Sequence, residues 1–175
     1  NKRSIATLLF GVISLDANAS VISFDDFRAP SYFGFHTPLS ERYAALGVHF
    51  QGTGAVLSSA ASFDGVPSGS ANYLAFNGNV NSFPPETILF DSSINSFKWD
   101  FAGTSGSATL TAYMGDTRVG DATINAVFGV WNEMALSGSA FNRVVFTVRD
   151  TDPHFVVDNL RFTPATAIAA VPLPA

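Results

Sequence analysis

Short runs of alternating apolar and polar residues cover most of the chain between residues 20 and 163. Phe97, Trp99 and Phe101 alternate with Lys98 and Asp100, the pattern of a strand with one buried face. The same period of two recurs along the chain and predicts a series of short strands. The predicted strands are Val21–Phe27, Val48–Gln51, Tyr73–Phe76, Thr87–Phe90, Ile94–Phe101, Ala108–Met114, Arg118–Ile124, Trp131–Leu136, Arg143–Arg149 and Phe155–Phe162.

Turn-forming residues separate these strands. Gly, Ser, Asn and Asp fill the gaps, and only Leu39–Leu46 has the spacing of a helical turn, with Thr37 as its expected cap. Many short strands at this spacing are typical of two packed sheets. The sequence therefore predicts an all-β fold, an antiparallel two-sheet β-sandwich that is jelly-roll-like and occupies residues 20–163.

The first 19 residues have a different pattern. Lys2-Arg3 precede an apolar run from Ile5 to Leu15, and Ala17-Asn18-Ala19 follow it. This order of basic, apolar and small residues is that of a secretory signal peptide, and the run is shorter than the roughly 20 residues of a membrane span. Two alternatives are a buried element of the domain and a strand donated to a neighbouring copy. The assembly strand would use Ile5, Leu8, Leu9, Phe10, Val12 and Ile13.

Composition narrows the class of protein. The chain has 175 residues, which predicts one domain, and its 17 Phe are ample for a large core. The net charge of −5, without clustered Lys and Arg, argues against nucleic acid as a partner. Cysteine is absent, so a secreted form would depend on its core, a metal ion or assembly for stability.

Two predicted strands carry a carboxylate in their apolar phase. Asp158 shares a face with the apolar residues of the last strand, and Asp26, next to Asp25, does so in the first. A buried carboxylate needs a partner, and Ca²⁺, which binds oxygen ligands, is one. The position resembles that of the structural Ca²⁺ of jelly-roll carbohydrate-binding modules, where first and last strands meet. The alternative is that Arg28, Arg161 or backbone amides satisfy these groups.

Aromatic residues outside the alternating core positions are candidates for stacking on sugar rings. They lie in predicted loops or near strand ends: Tyr32, Phe33, Phe35, Tyr73 and Trp131. Trp99 is instead predicted to lie in the core, because it alternates with charged residues.

No catalytic signature is present. The histidines lack ligand spacing, and no Gly-x-Ser-x-Gly sequence occurs. Glu41, Glu86 and Glu133 are acids that a glycosidase would need as a facing pair, but the sequence does not place them face to face. The chain is therefore predicted not to be an enzyme.

The C-terminal residues 164–175 are rich in Pro and Ala and end in Val171-Pro172-Leu173-Pro174-Ala175. This pentapeptide resembles the sorting motif of VPLPA-type PEP-CTERM proteins, which are exported bacterial proteins. The body also resembles their β-sandwich domains, in Ile22-Ser23-Phe24-Asp25-Asp26-Phe27 and in Phe155-Val156-Val157-Asp158-Asn159-Leu160-Arg161-Phe162. The resemblance implies export to the cell surface or extracellular matrix, and only a transient membrane contact through the sorting signal.

The sequence supports two functional hypotheses. The first is a structural subunit of the extracellular layer that self-associates into filaments by strand addition. The second is a calcium-stabilised carbohydrate-binding module whose partner is an exopolysaccharide.

Overall fold

The computed structural model describes residues 19–31, 39–60, 69–77, 85–149 and 154–165. Nine strands account for most of them. They are β1 (Ser20–Ile22), β2 (Val48–Phe50), β3 (Ala55–Ser58), β4 (Asn72–Asn77), β5 (Glu86–Gly103), β6 (Ser107–Met114), β7 (Thr117–Asn125), β8 (Asn132–Arg149) and β9 (His154–Pro164). A single 3-10 turn, Ala44–Leu46, is the one helical element among the described residues, none of which forms a helix long enough to span a membrane.

The strands follow the order β3-β4-β9-β5-β8-β6-β7, with β1 beside β9 and β2 beside β5. The pairings between them are antiparallel. The first part of β5 pairs with β2 and with the second part of β8, whereas its second part pairs with β9 and with the start of β8. Register shifts between Leu89 and Ile94 separate the two parts, and there β5 passes from one layer to the other.

The two layers pack face to face. One, here called the β9 layer, contains β1, β3, β4, β9, the second part of β5 and the start of β8. The other contains β2, β6, β7 and the remaining parts of β5 and β8. Phe146 of β8 lies 5.2 Å from the ring of Phe76 on β4 and 4.8 Å from Trp99 on β5, measured between ring centroids. These contacts cross the interior, and the predicted all-β sandwich is confirmed.

The strand predictions are close, with four differences. Two predicted pairs of strands are each one long strand, β5 and β8, because both bend between the layers. The first strand ends at Ile22, and Phe24, two residues later, has a left-handed φ of 61° that turns the chain away from the extended path of the strand. Strand β3 lies outside the predicted strands, and the predicted helical turn is reduced to Ala44–Leu46, with no side-chain cap. Thr37 lies outside the described residues.

A second, smaller apolar cluster lies on the other side of the β9 layer. Ala55, Ala75, Val156 and Ala102 follow one another in register across β3, β4, β9 and β5, and all four are buried. Trp131 packs against this cluster. The outward side of the β9 layer, here called the outer face, therefore has an apolar region, which continues into polar residues toward Lys98.

Candidate functional site

Five polar side chains form a connected network on the outer face, here called the polar face. They are Lys98 and Asp100 on β5, Glu133 on β8, and Asn159 and Arg161 on β9. Their positions follow from strand register, because Asp100 is paired with Glu133 on one side and Lys98 with Arg161 on the other. The alternation that buries Phe97, Trp99 and Phe101 turns Lys98 and Asp100 outward.

The polar face is held together by charge-assisted hydrogen bonds. Arg161 donates from Nη2 to Asp100 Oδ1 at 2.6 Å and to Glu133 Oε2 at 3.3 Å. Lys98 Nζ donates to Glu133 Oε1 at 2.8 Å, and Asn159 Nδ2 donates to Asp100 Oδ2 at 2.9 Å. The carboxylate of Asp100 raises the pKa of Arg161, so the guanidinium stays charged. Each side chain is thus oriented by at least one other before any ligand arrives.

A β-bulge in β9 places Asn159 on this face. Lys98 pairs with Arg161 but Asp100 pairs with Asp158, so β9 has one more residue than β5 over the same length. Asn159 takes up the extra length with a φ of 48°, a left-handed conformation that Asn tolerates better than most residues. The bulge turns its amide toward Asp100. An Asn inside an apolar strand was the available sequence signal for this bulge.

Trp131 lies at the apolar end of the polar face. It immediately precedes β8, whose first residue Asn132 pairs with Phe101, and it packs against the cluster that contains Ala102. Ala102 and Asp100 are two residues apart on β5, so the indole and the charged network are neighbours along the same face. Gly69 lies against the ring, since a Cβ there would be 3.2 Å from Trp131 Cζ2. The indole is partly exposed.

A buried carboxylate lies beneath the turn that precedes β4. Asp158, only 2% exposed, accepts hydrogen bonds from Ser70 Oγ at 2.5 Å and from the Asn159 amide at 2.7 Å. Burial raises the pKa of Asp158 to about 6, and nearby Asp25 and Asp100 add to the rise. Asn72, two residues after Ser70, donates its backbone N–H to Asp25 Oδ1 at 2.8 Å. The same turn therefore contacts both Asp158 and Asp25.

The three acids predicted to hold Ca²⁺ fall into two groups. Asp25 and Asp158 interact within one network, but Asp26 points elsewhere and accepts from Tyr43 Oη at 2.8 Å and from Arg42 at 3.5 Å. The placement of Asp26 with the other two is therefore corrected. The chain leaves the strand after Ile22, so the alternation used to place Asp26 does not apply there.

The oxygen atoms around Asp25 and Asp158 fit Ca²⁺ in kind. The Ser70 hydroxyl and the Phe24 and Phe27 carbonyls supplement the two carboxylates, and all are hard oxygen ligands. Asn72 Nδ2 donates to both carbonyls, each at 2.8 Å. Among the described residues, however, no cluster of three acidic or histidine side chains is suited to a metal. The fit therefore rests on two carboxylates and neutral oxygens.

The aromatic residues predicted to stack on sugar have different positions. Tyr73 is only 3% exposed and belongs to the second apolar cluster, so the expectation that its ring is open to a ligand is corrected. Its side chain points from β4 into that cluster because β4 is covered on both sides. Trp131 is the candidate that lies beside polar side chains. Tyr32, Phe33 and Phe35 lie outside the described residues, as do the proposed assembly strand and the C-terminal motif.

The remaining acids lie in separate places. Glu86 is 2% exposed inside the sandwich and accepts from the Gly54 amide at 2.9 Å; burial raises its pKa to about 7. Glu41 and Asp91 both bind the ring of His49, at 2.5 Å from Nδ1 and 3.0 Å from Nε2, and raise the pKa of that imidazole. Glu133 belongs to the polar face. Glu41, Glu86 and Glu133 do not form a facing pair.

No protein-family model and no curated protein sequence matches this chain. Among solved structures, the K2 cleaved adhesin domain of Lys-gingipain superposes with a TM-score of 0.54 at 16% identity, covering 83% of this chain and 99% of that domain. A family 29 carbohydrate-binding module superposes with a TM-score of 0.49 at 13% identity, covering 83% of this chain and 89% of the module. A family 61 module in complex with β-1,4-galactotriose superposes with a TM-score of 0.48 at 10% identity, covering 67% of this chain and 88% of the module. These similarities concern the fold.

Proposed function

We propose that this chain is a secreted, non-catalytic binding module that holds a polysaccharide of the extracellular layer on its outer face. The observation that carries the proposal is the polar face, in which Arg161, Asp100 and Glu133 orient one another beside the partly exposed ring of Trp131. The fold shared with an adhesin domain is compatible with such a role.

The chemistry of the polar face suits a hydroxyl-rich ligand. Each sugar hydroxyl donates one hydrogen bond and accepts others, and the face offers carboxylates as acceptors and guanidinium, ammonium and amide groups as donors. Because these groups already hold one another, little side-chain freedom is lost when a ligand binds. Trp131 supplies the apolar surface on which the C–H side of a sugar ring stacks.

The charges of the polar face balance. Asp100 and Glu133 carry two negative charges, and Lys98 and Arg161 carry two positive charges. A uronate or sulfate could pair with Lys98 or Arg161 only if that cation left its own carboxylate partner. The carboxylate left behind would then repel the ligand. A neutral polysaccharide is therefore the expected ligand, and the net charge of −5 acts in the same direction.

Two observations support binding rather than hydrolysis. Within the part of the chain that the structure describes, the acids whose pKa is raised toward neutrality, as a general acid requires, are Glu86 and Asp158, and both are buried away from solvent. The two carboxylates on the polar face, Asp100 and Glu133, both bind the guanidinium of Arg161. Neither pair presents one free acid and one free base to a glycosidic bond.

The proposal keeps Ca²⁺ as a structural component. Asp25 and Asp158, with the Ser70 hydroxyl, are the residues that would hold it, and its role would be to fix the turn before β4 against β9. Export and surface localisation rest on the N-terminal pattern and on the PEP-CTERM resemblance. Strand addition through residues 5–13 stays a prediction.

Affinity electrophoresis through gels that contain neutral or acidic polysaccharides, followed by calorimetry on any ligand found, tests the proposal. Glu133→Ala and Trp131→Ala each should weaken binding at least tenfold while the unfolding temperature of Glu133→Ala stays near that of the parent. Arg118→Ala is the matched control, because it breaks an exposed ion pair with Asp121 on β7, away from the outer face. If no polysaccharide bound the wild type, or if all variants bound equally well, the proposal would be overturned.

A further inference from the structure

Exposed apolar side chains cluster at the connection between β7 and β8. Seven large hydrophobic residues are exposed among those described: Val21, Leu46, Met114, Val119, Val127, Phe128 and Val130. Three of the seven, Val127, Phe128 and Val130, lie within four consecutive positions, and the partly exposed Trp131 follows them directly. Exposed apolar residues grouped in this way mark interaction sites more often than scattered ones do.

The connection formed by residues 126–131, here called the apolar turn, projects Phe128 into solvent. Val130 donates its backbone N–H to the Val127 carbonyl at 3.1 Å, and Gly129 has a φ of 74°, as the third position of a type II turn requires. Phe128, at the second position of this turn, is 66% exposed. Polar residues are common in such turns, yet residues 126–130 carry no polar side chain. The turn geometry itself does not require an aromatic residue at this position.

Hydrogen bonds and packing fix the apolar turn at both ends. At its start, Ala126 packs against the main core and donates its backbone N–H to the Gly106 carbonyl at 2.9 Å. At its end, Asn132 Nδ2 donates to the Val130 carbonyl at 3.3 Å, and Trp131 packs against the second apolar cluster. A ligand that binds here meets a surface that is already ordered, so the entropic cost of binding is small.

The apolar turn is continuous with the proposed ligand site. β7 belongs to the other layer, whereas β8 begins in the β9 layer, so the chain reaches the outer face as it leaves the turn at Trp131. Phe128 and Trp131 are three residues apart, which limits the distance between their Cα atoms to at most about 11 Å. Glu133 of the polar face is two residues beyond Trp131. One ligand of modest length could therefore contact the polar face, the indole and Phe128 together.

We propose that the ligand site extends past Trp131 onto the apolar turn, where the ring of Phe128 stacks on a further sugar of the same chain. This inference rests on the proposed function and adds the class of ligand, which is a linear polysaccharide bound along several consecutive sugars rather than by one terminal sugar. A carbohydrate chain is the occupant that the structure favours, because the turn adjoins the indole of the proposed site and presents a flat aromatic ring.

The two parts of the extended site recognise different features of the ligand. The polar face binds hydroxyl groups through its charged and amide side chains. Phe128 contacts only the C–H side of a sugar ring, since residues 126–130 offer no side-chain donor or acceptor. Phe128 therefore adds affinity that depends on the length of the bound chain and not on the configuration of its hydroxyl groups.

Calorimetry with neutral oligosaccharides of one to six sugars tests the inference. The probes are the cello-, laminari- and β-1,4-galacto-oligosaccharides, together with fragments of any polysaccharide that affinity electrophoresis identifies. The wild type should bind long oligosaccharides more tightly than the shortest one that binds. Phe128→Ser should weaken binding of the long ones about three- to tenfold and leave the shortest unchanged, whereas Trp131→Ala should weaken binding at every length.

Three further variants separate ring stacking from general apolar contact. Phe128→Tyr keeps the flat ring and should bind like the wild type. Phe128→Leu keeps an apolar side chain without a flat ring and should behave like Phe128→Ser. Val119→Ser is the matched control, because it removes an exposed apolar residue near the opposite end of β7. Thermal unfolding checks the fold of each variant, and an exposed position such as Phe128 should tolerate all three replacements.

The possible outcomes distinguish this inference from the proposed function. If the wild type binds and Phe128→Ser binds every length equally well, the extended site is overturned and the polar face stands. If no saccharide binds the wild type, both are overturned. An equal loss at every length, or full binding by Phe128→Leu, would also contradict a separate stacking position at Phe128. Phe128-dependent self-association in sedimentation velocity, or Phe128-dependent binding to phosphatidylcholine vesicles, without an effect on saccharide binding would assign the turn to a second copy or a lipid surface and overturn the inference.

Discussion

Ser70 donates its hydroxyl to the buried carboxylate of Asp158 at 2.5 Å and so fastens the turn before β4 onto the bulge of β9. The preceding residue, Gly69, lies against Trp131. Adjacent residues of one turn therefore contact both the buried acid and the aromatic end of the polar face. We therefore expect loss of this hydrogen bond to loosen the contact between Gly69 and the Trp131 ring.

Replacing Ser70 with Ala should raise the pKa of Asp158 above its value of about 6, since the Ser70 hydrogen bond opposes the effect of burial. We expect a loss of about 1–3 kcal/mol in the free energy of unfolding. The loss should be larger at pH 8 than at pH 5, because at pH 8 the Asp158 side chain is charged and the charged form depends most on the Ser70 donor. Carbon-detected NMR titration and urea unfolding measure the two effects. Ser58→Ala, which removes an exposed contact with the Ala60 amide, is the control. An unchanged pKa of Asp158 would contradict this account.

The alternating pattern predicts single strands, but it does not show which distant strands pair or in what register. The alternating pattern predicted most strands because each of them buries one face. It missed Ala55–Ser58, since that strand is buried on both sides and does not alternate. It divided β5 and β8 because both bend where they pass between the layers. The bends became visible only once the partner strands were known.

The candidate site was predictable only in part for the same reason. Asp25 and Asp158 were expected together, and they do share a network, because both lie where β1 meets β9. The polar face was missed. Lys98 and Asp100 read as ordinary solvent-facing residues, and nothing in the sequence pairs them with Glu133 and Arg161, which are 33 to 63 positions away.

The buried carboxyl groups should make the domain less stable as the pH rises. Glu86 has its pKa raised from 4.5 to about 7, so the folded state favours its neutral form. This contribution is complete below pH 4.5 and is lost as the pH rises through 7; Asp158 acts in the same direction between 3.8 and about 6. We expect Glu86 alone to account for about 2–4 kcal/mol between pH 4 and pH 8.

Urea unfolding at several pH values, with Glu86→Gln beside the wild type, measures this dependence. The variant should lose most of the slope between pH 5 and pH 8 because its side chain has no proton to release. His49 should add to the remaining slope in the same direction, since its raised pKa favours the folded state only while the imidazole is charged. Stability that increases from pH 5 to pH 8 in the wild type would exclude this role for Glu86.

Gly52 lies so close to the Glu86 carboxylate that a Cβ at this position would overlap it. Gly52→Ala should therefore displace the buried acid and cost about 1–3 kcal/mol in the free energy of unfolding. Gly120 on β7 is the matched control, because a Cβ there meets no atom within 4 Å, and Gly120→Ala should be neutral or slightly stabilising. Thermal unfolding of both variants gives the comparison, and equal effects would show that Gly52 is not constrained by Glu86.

The Ca²⁺ proposal makes opposite predictions for two adjacent acids. Added Ca²⁺ should raise the unfolding temperature of the wild type, and chelation should lower it, because the ion binds the folded state. Asp25→Asn should abolish this response, since Asp25 belongs to the network of Asp158. Asp26→Asn should preserve it, because Asp26 is bound to Tyr43 and Arg42 instead.

Bound Ca²⁺ should also hold the Asp158 carboxylate charged and remove its part of the pH dependence. A wild type whose unfolding temperature is the same with Ca²⁺ and with chelator would rule out the metal and leave Ser70 and Asn159 as the groups that satisfy Asp158.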